Sequence, residues 1–111
     1  MELTHVESFV SSDWFVKTEI FPSSWMHTER QQWWFPFPNG LYASVFRGST
    51  TYGGRHGLFE LAVMFGGRCY YDTPVTSDVL GHLNESEVLQ VLDQIASLVE
   101  DEDGEWVYGD K

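Results

Sequence analysis

The clearest alternation of apolar and polar positions lies in the middle of the chain, between residues 39 and 71. Asn39-Gly40 is a turn dipeptide, and Leu41–Arg47 after it alternates in the manner of a strand. Leu58–Phe65 is mostly apolar, which predicts a central strand. Gly66-Gly67 then predicts a two-residue hairpin turn, because glycine tolerates the positive φ angles that such turns need. With a return strand over Arg68–Tyr71, these segments predict an antiparallel meander.

A helical period follows nearer the C-terminus. Asn84 is a good N-cap, and Glu87, three residues later, completes a capping-box pattern. The apolar positions fall on one half of a helical wheel: Val88, Leu89, Val91, Leu92, Ile95, Ala96, Leu98 and Val99. We therefore predict a helix from Asn84 to Glu100 whose apolar half packs on one face of the sheet.

The first 38 residues combine weaker alternation with several prolines. Their apolar positions predict a strand around Trp14–Ile20, which Pro22 should break. A short helix over Ser24–Gln32 is compatible with the next segment. Pro36 and Pro38 exclude a regular helix after it and hold the chain extended.

An aromatic insert within this region carries the residues Trp25, Trp33, Trp34 and Phe35. Trp33, Trp34 and Phe35 are consecutive, so they cannot all point into one core from a regular element. Two interpretations stay open. The insert is either a loop that packs under the domain as a satellite core, or an exposed face through which copies of the protein associate.

Length and composition limit the architectures that the chain can adopt. A chain of 111 residues fits one domain, and a hydrophobic content of 42% excludes a disordered composition. We predict a single α+β domain, with an antiparallel sheet of three to five strands and one C-terminal amphipathic helix on one face. Its parts are an N-terminal strand and aromatic insert (1–38), a β-meander (39–71), a linker (72–83), the helix (84–100) and an acidic tail (101–111).

Negative charge is concentrated in the C-terminal part of the chain. Residues 72–111 contain eleven acidic residues and one basic residue, so they carry −10 of the formal net charge of −11. Such a field repels nucleic acid and attracts basic protein surfaces, although acidic segments also serve solubility alone. Acids after a helix ending at Glu100 would oppose the helix dipole, which argues against selection for stability alone. The candidate partner-binding residues are Asp93, Glu100, Asp101, Glu102, Asp103 and Glu105.

No motif for catalysis or metal binding stands out. The single cysteine, Cys69, cannot form an intrachain disulfide, and its place in a predicted strand indicates a buried thiol. The histidines lack zinc-site spacing, and Asp72, Asp78 and His82 each have an ordinary turn or pre-helix role available. We therefore expect no catalytic residue, no metal and no cofactor. Few Lys and Arg argue against nucleic-acid binding, and no apolar segment or leader pattern points to a membrane, so we expect a cytoplasmic location.

Several short motifs lie between Asn39 and Val99. They are Asn39-Gly40, Ala43-Ser44-Val45, Tyr52-Gly53-Gly54, Gly57-Leu58, Glu60-Leu61-Ala62-Val63, Tyr71-Asp72-Thr73-Pro74-Val75-Thr76, Asp78-Val79-Leu80-Gly81 and Glu87-Val88. On these motifs the segment resembles a group of small, uncharacterised phage proteins. The first 38 residues and the acidic tail take no part in the resemblance. It implies a phage or prophage origin and brings no activity with it.

That implied origin changes which functions are expected. Small acidic phage proteins without a catalytic motif resemble, as a class, inhibitors of host defence such as anti-CRISPR proteins. By this analogy we expect a non-enzymatic inhibitor of a host defence nuclease or effector complex, which mimics nucleic acid and binds a basic surface in the host cytoplasm. The alternative is a phage accessory or structural protein that forms a homodimer through the aromatic face.

Overall fold

In the part of the chain that the structure describes, the alternating segments pair into an antiparallel sheet of six strands. The computed structural model describes residues 3–23, 28–48 and 57–109. The strands of the sheet are β1 (Lys17–Ser23), β2 (Thr28–Pro36), β3 (Tyr42–Gly48), β4 (Phe59–Phe65), β5 (Arg68–Cys69) and β6 (Leu80–Leu83). They lie in the order β1-β2-β3-β4-β5, and β6 also pairs with β4, so β5 and β6 share the side of β4 that faces away from β3.

One face of this sheet forms the hydrophobic core. Cross-strand pairing places Trp33 opposite Val45 and Val45 opposite Leu61, and all three are fully buried. Because successive strand residues point to opposite faces, Phe35 and Val63 lie on this same face and are also fully buried. The meander predicted from the sequence is therefore confirmed, with β4 paired on both sides.

Two helices add apolar side chains to the same core, which completes a single α+β domain. The short α1 (Glu7–Val10) contributes Phe9, whose ring centroid lies 5.5 Å from that of Trp33 and 4.9 Å from that of Phe59. The longer α2 (Glu85–Ala96) contributes Val88, Leu92 and Ile95.

The start of α2 is the predicted one. The Glu87 backbone N–H donates to Asn84 Oδ1 at 2.8 Å, and the Asn84 N–H donates to Glu87 Oε1 at 3.0 Å. This reciprocal pair is the capping box expected from the sequence. It satisfies two of the otherwise unpaired N–H groups at the helix start and fixes where α2 begins.

The predicted end of this helix, at Glu100, is wrong. The helix ends at Ala96, and the chain continues into β7 (Leu98–Glu100), which pairs with β8 (Trp106–Tyr108) in a separate two-stranded sheet. Leu98 is buried in this hairpin, as it would be in a longer helix, so its apolar character could not separate the two structures. The acidic residues after it belong to a hairpin rather than to a tail at a helix terminus, and the helix-dipole argument does not apply.

The N-terminal predictions also need correction. The strand β1 begins at Lys17 and runs through Pro22, which is tolerated because β1 lies at an edge of the sheet. The helix over Ser24–Gln32 is not formed from residue 28 onward, where β2 runs instead, and residues 24–27 lie outside the described part. Pairing with both β1 and β3 stabilises β2 as a strand.

Two further differences concern the end of the meander. The Gly66-Gly67 turn is present, with φ angles of 63° and 83°, but the return strand β5 is only two residues long. Cys69 is exposed there, not buried as predicted, because so short an edge strand leaves its side chain uncovered. The predicted linker contains β6, and this added strand takes the sheet beyond the expected three to five strands.

Candidate functional site: the acidic hairpin

The hairpin formed by β7 and β8 is closed by a turn that Asp101 organises. Its Oδ1 accepts hydrogen bonds from the backbone N–H groups of Asp103 and Glu105, each at 2.9 Å. The Asp101 N–H donates to the Glu105 carbonyl at 2.8 Å, and Gly104 adopts a φ of 78°, which favours glycine. One of the predicted partner-binding carboxylates is therefore a structural part of the turn.

The hairpin is attached to the rest of the domain at both strands. The Asn39 side-chain NH₂ donates to the carbonyls of Ile95 and Leu98, both at 2.9 Å, and so ties the turn before β3 to the junction between α2 and β7. The Gly109 N–H donates to the Ser97 carbonyl at 2.7 Å, which continues the β7–β8 pairing to the end of α2 at the same base of the hairpin. These bonds hold the hairpin in one position on the domain.

Burial of one face reinforces this attachment. Leu98 is fully buried, and Trp106 is 6% exposed, with its ring centroid 6.1 Å from that of Phe65. Trp106 therefore packs against the body of the domain. Val99 and Val107 are paired directly across the two strands on the other face of the hairpin, where they are 47% and 39% exposed.

The six predicted partner-binding residues are all exposed. Five of them lie in the hairpin, between Glu100 and Glu105, whereas Asp93 lies on α2, one turn before its end. The hairpin carboxylates form no ion pair with any described residue; the pairs His5–Glu7 and Lys17–Glu19 lie elsewhere. The hairpin thus combines concentrated negative charge with a small apolar face, and its backbone is fixed.

The aromatic residues of the alternative site are separated by the structure. Trp33 and Phe35 are fully buried in the core and present no surface, while Trp34 points to the opposite face of the sheet. Trp25 lies outside the described residues. On the face of Trp34 the structure adds Phe21, at 5.7 Å between ring centroids, and Phe46. Period-2 alternation over the whole of β2 would have identified this division.

Of Asp72, Asp78 and His82, Asp78 has a structural role that the hydrogen bonds show directly. Asp78 Oδ1 accepts from the Val79 N–H at 2.7 Å, and the Asp78 N–H donates to Thr76 Oγ1 at 3.0 Å, so this carboxylate shapes a loop. A side-chain hydrogen bond with Cys69 and, to a smaller extent, desolvation raise the pKa of Tyr71 above 10.0.

The described residues contain no group of three or more His, Cys, Asp or Glu side chains arranged to hold a metal ion. Within the same residues, neither helix has the length and apolar character to span a membrane.

Comparisons with protein-family models, with curated proteins and with solved structures found no match to this chain.

Proposed function

We propose that this protein is a non-enzymatic inhibitor that binds a basic, nucleic-acid-binding surface of another protein through the acidic hairpin. The observation that carries the proposal is the hairpin itself. Its turn presents carboxylates from Glu100 to Glu105 that have no ion-pair partner among the described residues, on a backbone tied to the domain through Asn39 and Trp106.

A fixed support matters for such a function. Duplex DNA presents about one negative charge per 1.7 Å of its axis, and a mimic needs carboxylates at comparable density. On a disordered tail, each bound residue would also lose backbone freedom on binding, at a cost of roughly 1–2 kcal/mol per residue. The hairpin backbone is ordered before binding, which lowers the total cost and favours an interface over a purely solubilising role.

The apolar outer face adds a second component to the proposed interface. Val99 and Val107 provide surface that is favourable to remove from water, while the carboxylates steer the approach and set the orientation. Protein–protein interfaces commonly combine an apolar centre with a polar rim. A target of this hairpin would present an apolar patch bordered by Lys and Arg side chains.

The biological setting of the proposal comes from the resemblance to small phage proteins. On that basis the target is a host defence nuclease or effector complex, with a CRISPR complex as the first choice, and inhibition takes place in the host cytoplasm. The charge and the hairpin geometry support binding to a basic surface, and they do not distinguish among nucleases.

The test compares two variants with equal charge changes. Glu102→Gln with Asp103→Asn removes two hairpin charges and none of the described hydrogen bonds of the turn. Glu7→Gln with Glu85→Gln removes two charges elsewhere: Glu85 lies at the start of α2, the end away from the hairpin, and Glu7 adjoins Ser8, which hydrogen-bonds to Glu85. Binding to purified nuclease complexes and inhibition of DNA cleavage are measured for both, at low and high salt.

We expect the hairpin variant to bind two- to thirtyfold more weakly, at about 0.2–1 kcal/mol per exposed charge contact, and the control variant to bind almost as tightly as the unmodified protein. Binding should also weaken with salt. Equal losses of affinity in both variants would show that binding depends on the net charge of the protein and not on the hairpin. Affinity that does not change with salt would remove the mimicry proposal.

The second candidate is a phage accessory or structural protein that acts by self-association. The observation that favours it is the sheet face containing Trp34, which the core does not use.

A further inference from the structure

The sheet face opposite the core carries aromatic rings with cations placed over them. Lys17 Nζ lies 4.5 Å from the centroid of the Trp34 ring. The Arg30 guanidinium carbon lies 5.5 Å from the Phe46 centroid and 6.0 Å from the Phe21 centroid. Strand pairing confirms the common face, because Lys17 is opposite Trp34 and Arg30 is opposite Phe21. The five residues form one aromatic surface across β1, β2 and β3.

Both helices lie away from this aromatic surface. Phe9 of α1 contacts Trp33 and Phe59 on the other face, and the apolar residues of α2 belong to the same core. Beside the rings, the small residues Ser44 on β3 and Ala62 on β4 are only 3% and 2% exposed, because the neighbouring side chains cover them. Phe21 remains 37% exposed at its edge.

The charge on this surface is balanced, in contrast to the rest of the molecule. Lys17 and Arg30 share the face with Glu19 and Glu60, which gives no net formal charge in a chain of −11. Two copies of a strongly acidic protein repel each other least where their local charge is zero. The aromatic surface therefore suits a second copy better than any acidic part of the molecule does.

The arrangement of charges is also self-complementary. Lys17 Nζ and Glu19 Oε1 are 3.7 Å apart, and their side chains are 54% and 51% exposed. A two-fold axis places the same surface of two subunits against each other, so that residue i meets residue j and j meets i. Lys17 of one copy can therefore face Glu19 of the other, and the reverse contact forms at the same time.

We propose that this aromatic surface is a self-association site at which two copies pack face to face around a two-fold axis. The proposal is independent of the function assigned to the hairpin. Strand spacing and rise give the aromatic surface and the adjoining part of β4 together roughly 400 Å² on each copy, below the ~800 Å² per partner of a standard stable interface. The dimer is accordingly weak and concentration-dependent, and it forms at high local protein concentration.

The test uses a charge exchange at the proposed contact. Sedimentation equilibrium from micromolar to near-millimolar concentration is measured for the unmodified protein, Lys17→Glu, Glu19→Lys and the double variant. Each single exchange places like charges together at both symmetric contacts, so we expect about a tenfold weaker dimer. The double exchange restores opposite charges and should recover most of the affinity. Phe21→Ala should weaken the dimer, whereas Val107→Thr on the hairpin should leave it unchanged.

Specific outcomes would overturn this proposal. The first is a protein that stays monomeric at every concentration. The second is a double exchange that weakens the dimer as much as the single exchanges do. The third is a dimer that Val107→Thr dissociates. Rings with nearby cations also suit the bases of single-stranded nucleic acid. Tight binding of a thymidine oligonucleotide, with quenched tryptophan fluorescence that Phe21→Ala removes, would therefore assign the surface to nucleic acid instead. Melting curves of all variants separate these effects from unfolding, and the exposed Lys17 and Glu19 exchanges keep the test valid if Phe21→Ala does not fold.

Discussion

Asn39 is the residue whose replacement should most directly loosen the acidic hairpin. Its side-chain NH₂ donates to the carbonyls of Ile95 and Leu98, and its Oδ1 accepts from the Leu41 N–H at 3.0 Å. Asn39→Ala removes all three hydrogen bonds and leaves two main-chain carbonyls without this donor. At about 0.5–1.5 kcal/mol net per bond, we expect the loss of three bonds to lower the free energy of unfolding by roughly 1.5–4.5 kcal/mol. A domain of this size has about 5–15 kcal/mol in total, so the loss is measurable.

Asn39→Asp tests which of these bonds matters. The carboxylate keeps an acceptor for the Leu41 N–H but faces the two carbonyl oxygens without a donor, so at neutral pH it should destabilise at least as much as alanine does. Repulsion from those carbonyls raises the pKa of the new carboxyl above its unfolded value of about 3.9. Its penalty should therefore be absent below the unfolded pKa and appear as pH rises through the raised folded pKa.

Urea denaturation of the three proteins, together with amide hydrogen exchange, measures both effects. Exchange should accelerate in β7 and β8 of the alanine variant, while the central strands β3 and β4 change less, because the lost bonds hold the hairpin and not the sheet. An Asn39→Asp protein as stable as the unmodified one at neutral pH would refute the reasoning. So would exchange that accelerates equally in all strands.

Two further predictions address the sheet. Trp33→Ala should lower the free energy of unfolding by about 3–5 kcal/mol because it empties a fully buried site. Trp34→Ala, on the half-buried face, should lower it clearly less and leave a folded protein. Thermal melts of the two variants measure the difference. Gln31→Leu should lower the free energy of unfolding by roughly 1–3 kcal/mol, as measured by urea denaturation. The buried amide of Gln31 accepts from the Thr4 N–H at 2.8 Å, donates to the Thr4 carbonyl at 3.0 Å and donates to Thr18 Oγ1 at 2.9 Å. Equal costs for the two tryptophans, or a neutral Gln31→Leu, would contradict the assigned burial and bonding.

The parts of the fold that the sequence predicts correctly are those in which local signals agree. Alternation over Leu41–Arg47, the apolar run before Gly66-Gly67 and the capping residues Asn84 and Glu87 each act over a few neighbouring residues. The structure contains a strand, a strand with its turn, and a capped helix at these places. Local chemistry was sufficient because no distant contact opposed it.

The errors arise where distant partners decide the structure. The local sequence of residues 28–32 is compatible with a helix, but pairing with β1 and β3 makes these residues part of a strand. The predicted end of α2 is wrong because Leu98 fits both a helix and a strand, and only the pairing with Tyr108 distinguishes the two. Of the candidate site, the sequence identified the acidic residues, but their fixed hairpin depends on Asn39, which lies 56 residues before Ile95.

Asp101 offers a way to separate the structural contribution of the hairpin acids from their charge. Asp101→Asn removes the charge but keeps an oxygen that can accept from the Asp103 and Glu105 N–H groups, whereas Asp101→Ala removes both. We expect the free energy of unfolding of the asparagine variant to stay within about 0.5–1 kcal/mol of that of the unmodified protein. The alanine variant should lose roughly 1–3 kcal/mol, because both hydrogen bonds of the hairpin turn are removed. Urea denaturation and hydrogen exchange in β7 and β8 distinguish these outcomes.

Binding measurements on the same variants extend the test to the proposed function, with Glu102→Gln as the matched control. That substitution removes one charge and none of the described turn hydrogen bonds. If the target recognises carboxylates on a fixed hairpin, Asp101→Asn and Glu102→Gln should weaken binding by similar factors, since each removes one charge. Asp101→Ala should weaken binding further, because the neighbouring carboxylates are no longer held in place. Equal binding by Asp101→Ala and Asp101→Asn would mean that the fixed turn contributes nothing to recognition, and the hairpin acids would then act as an unstructured acidic segment does.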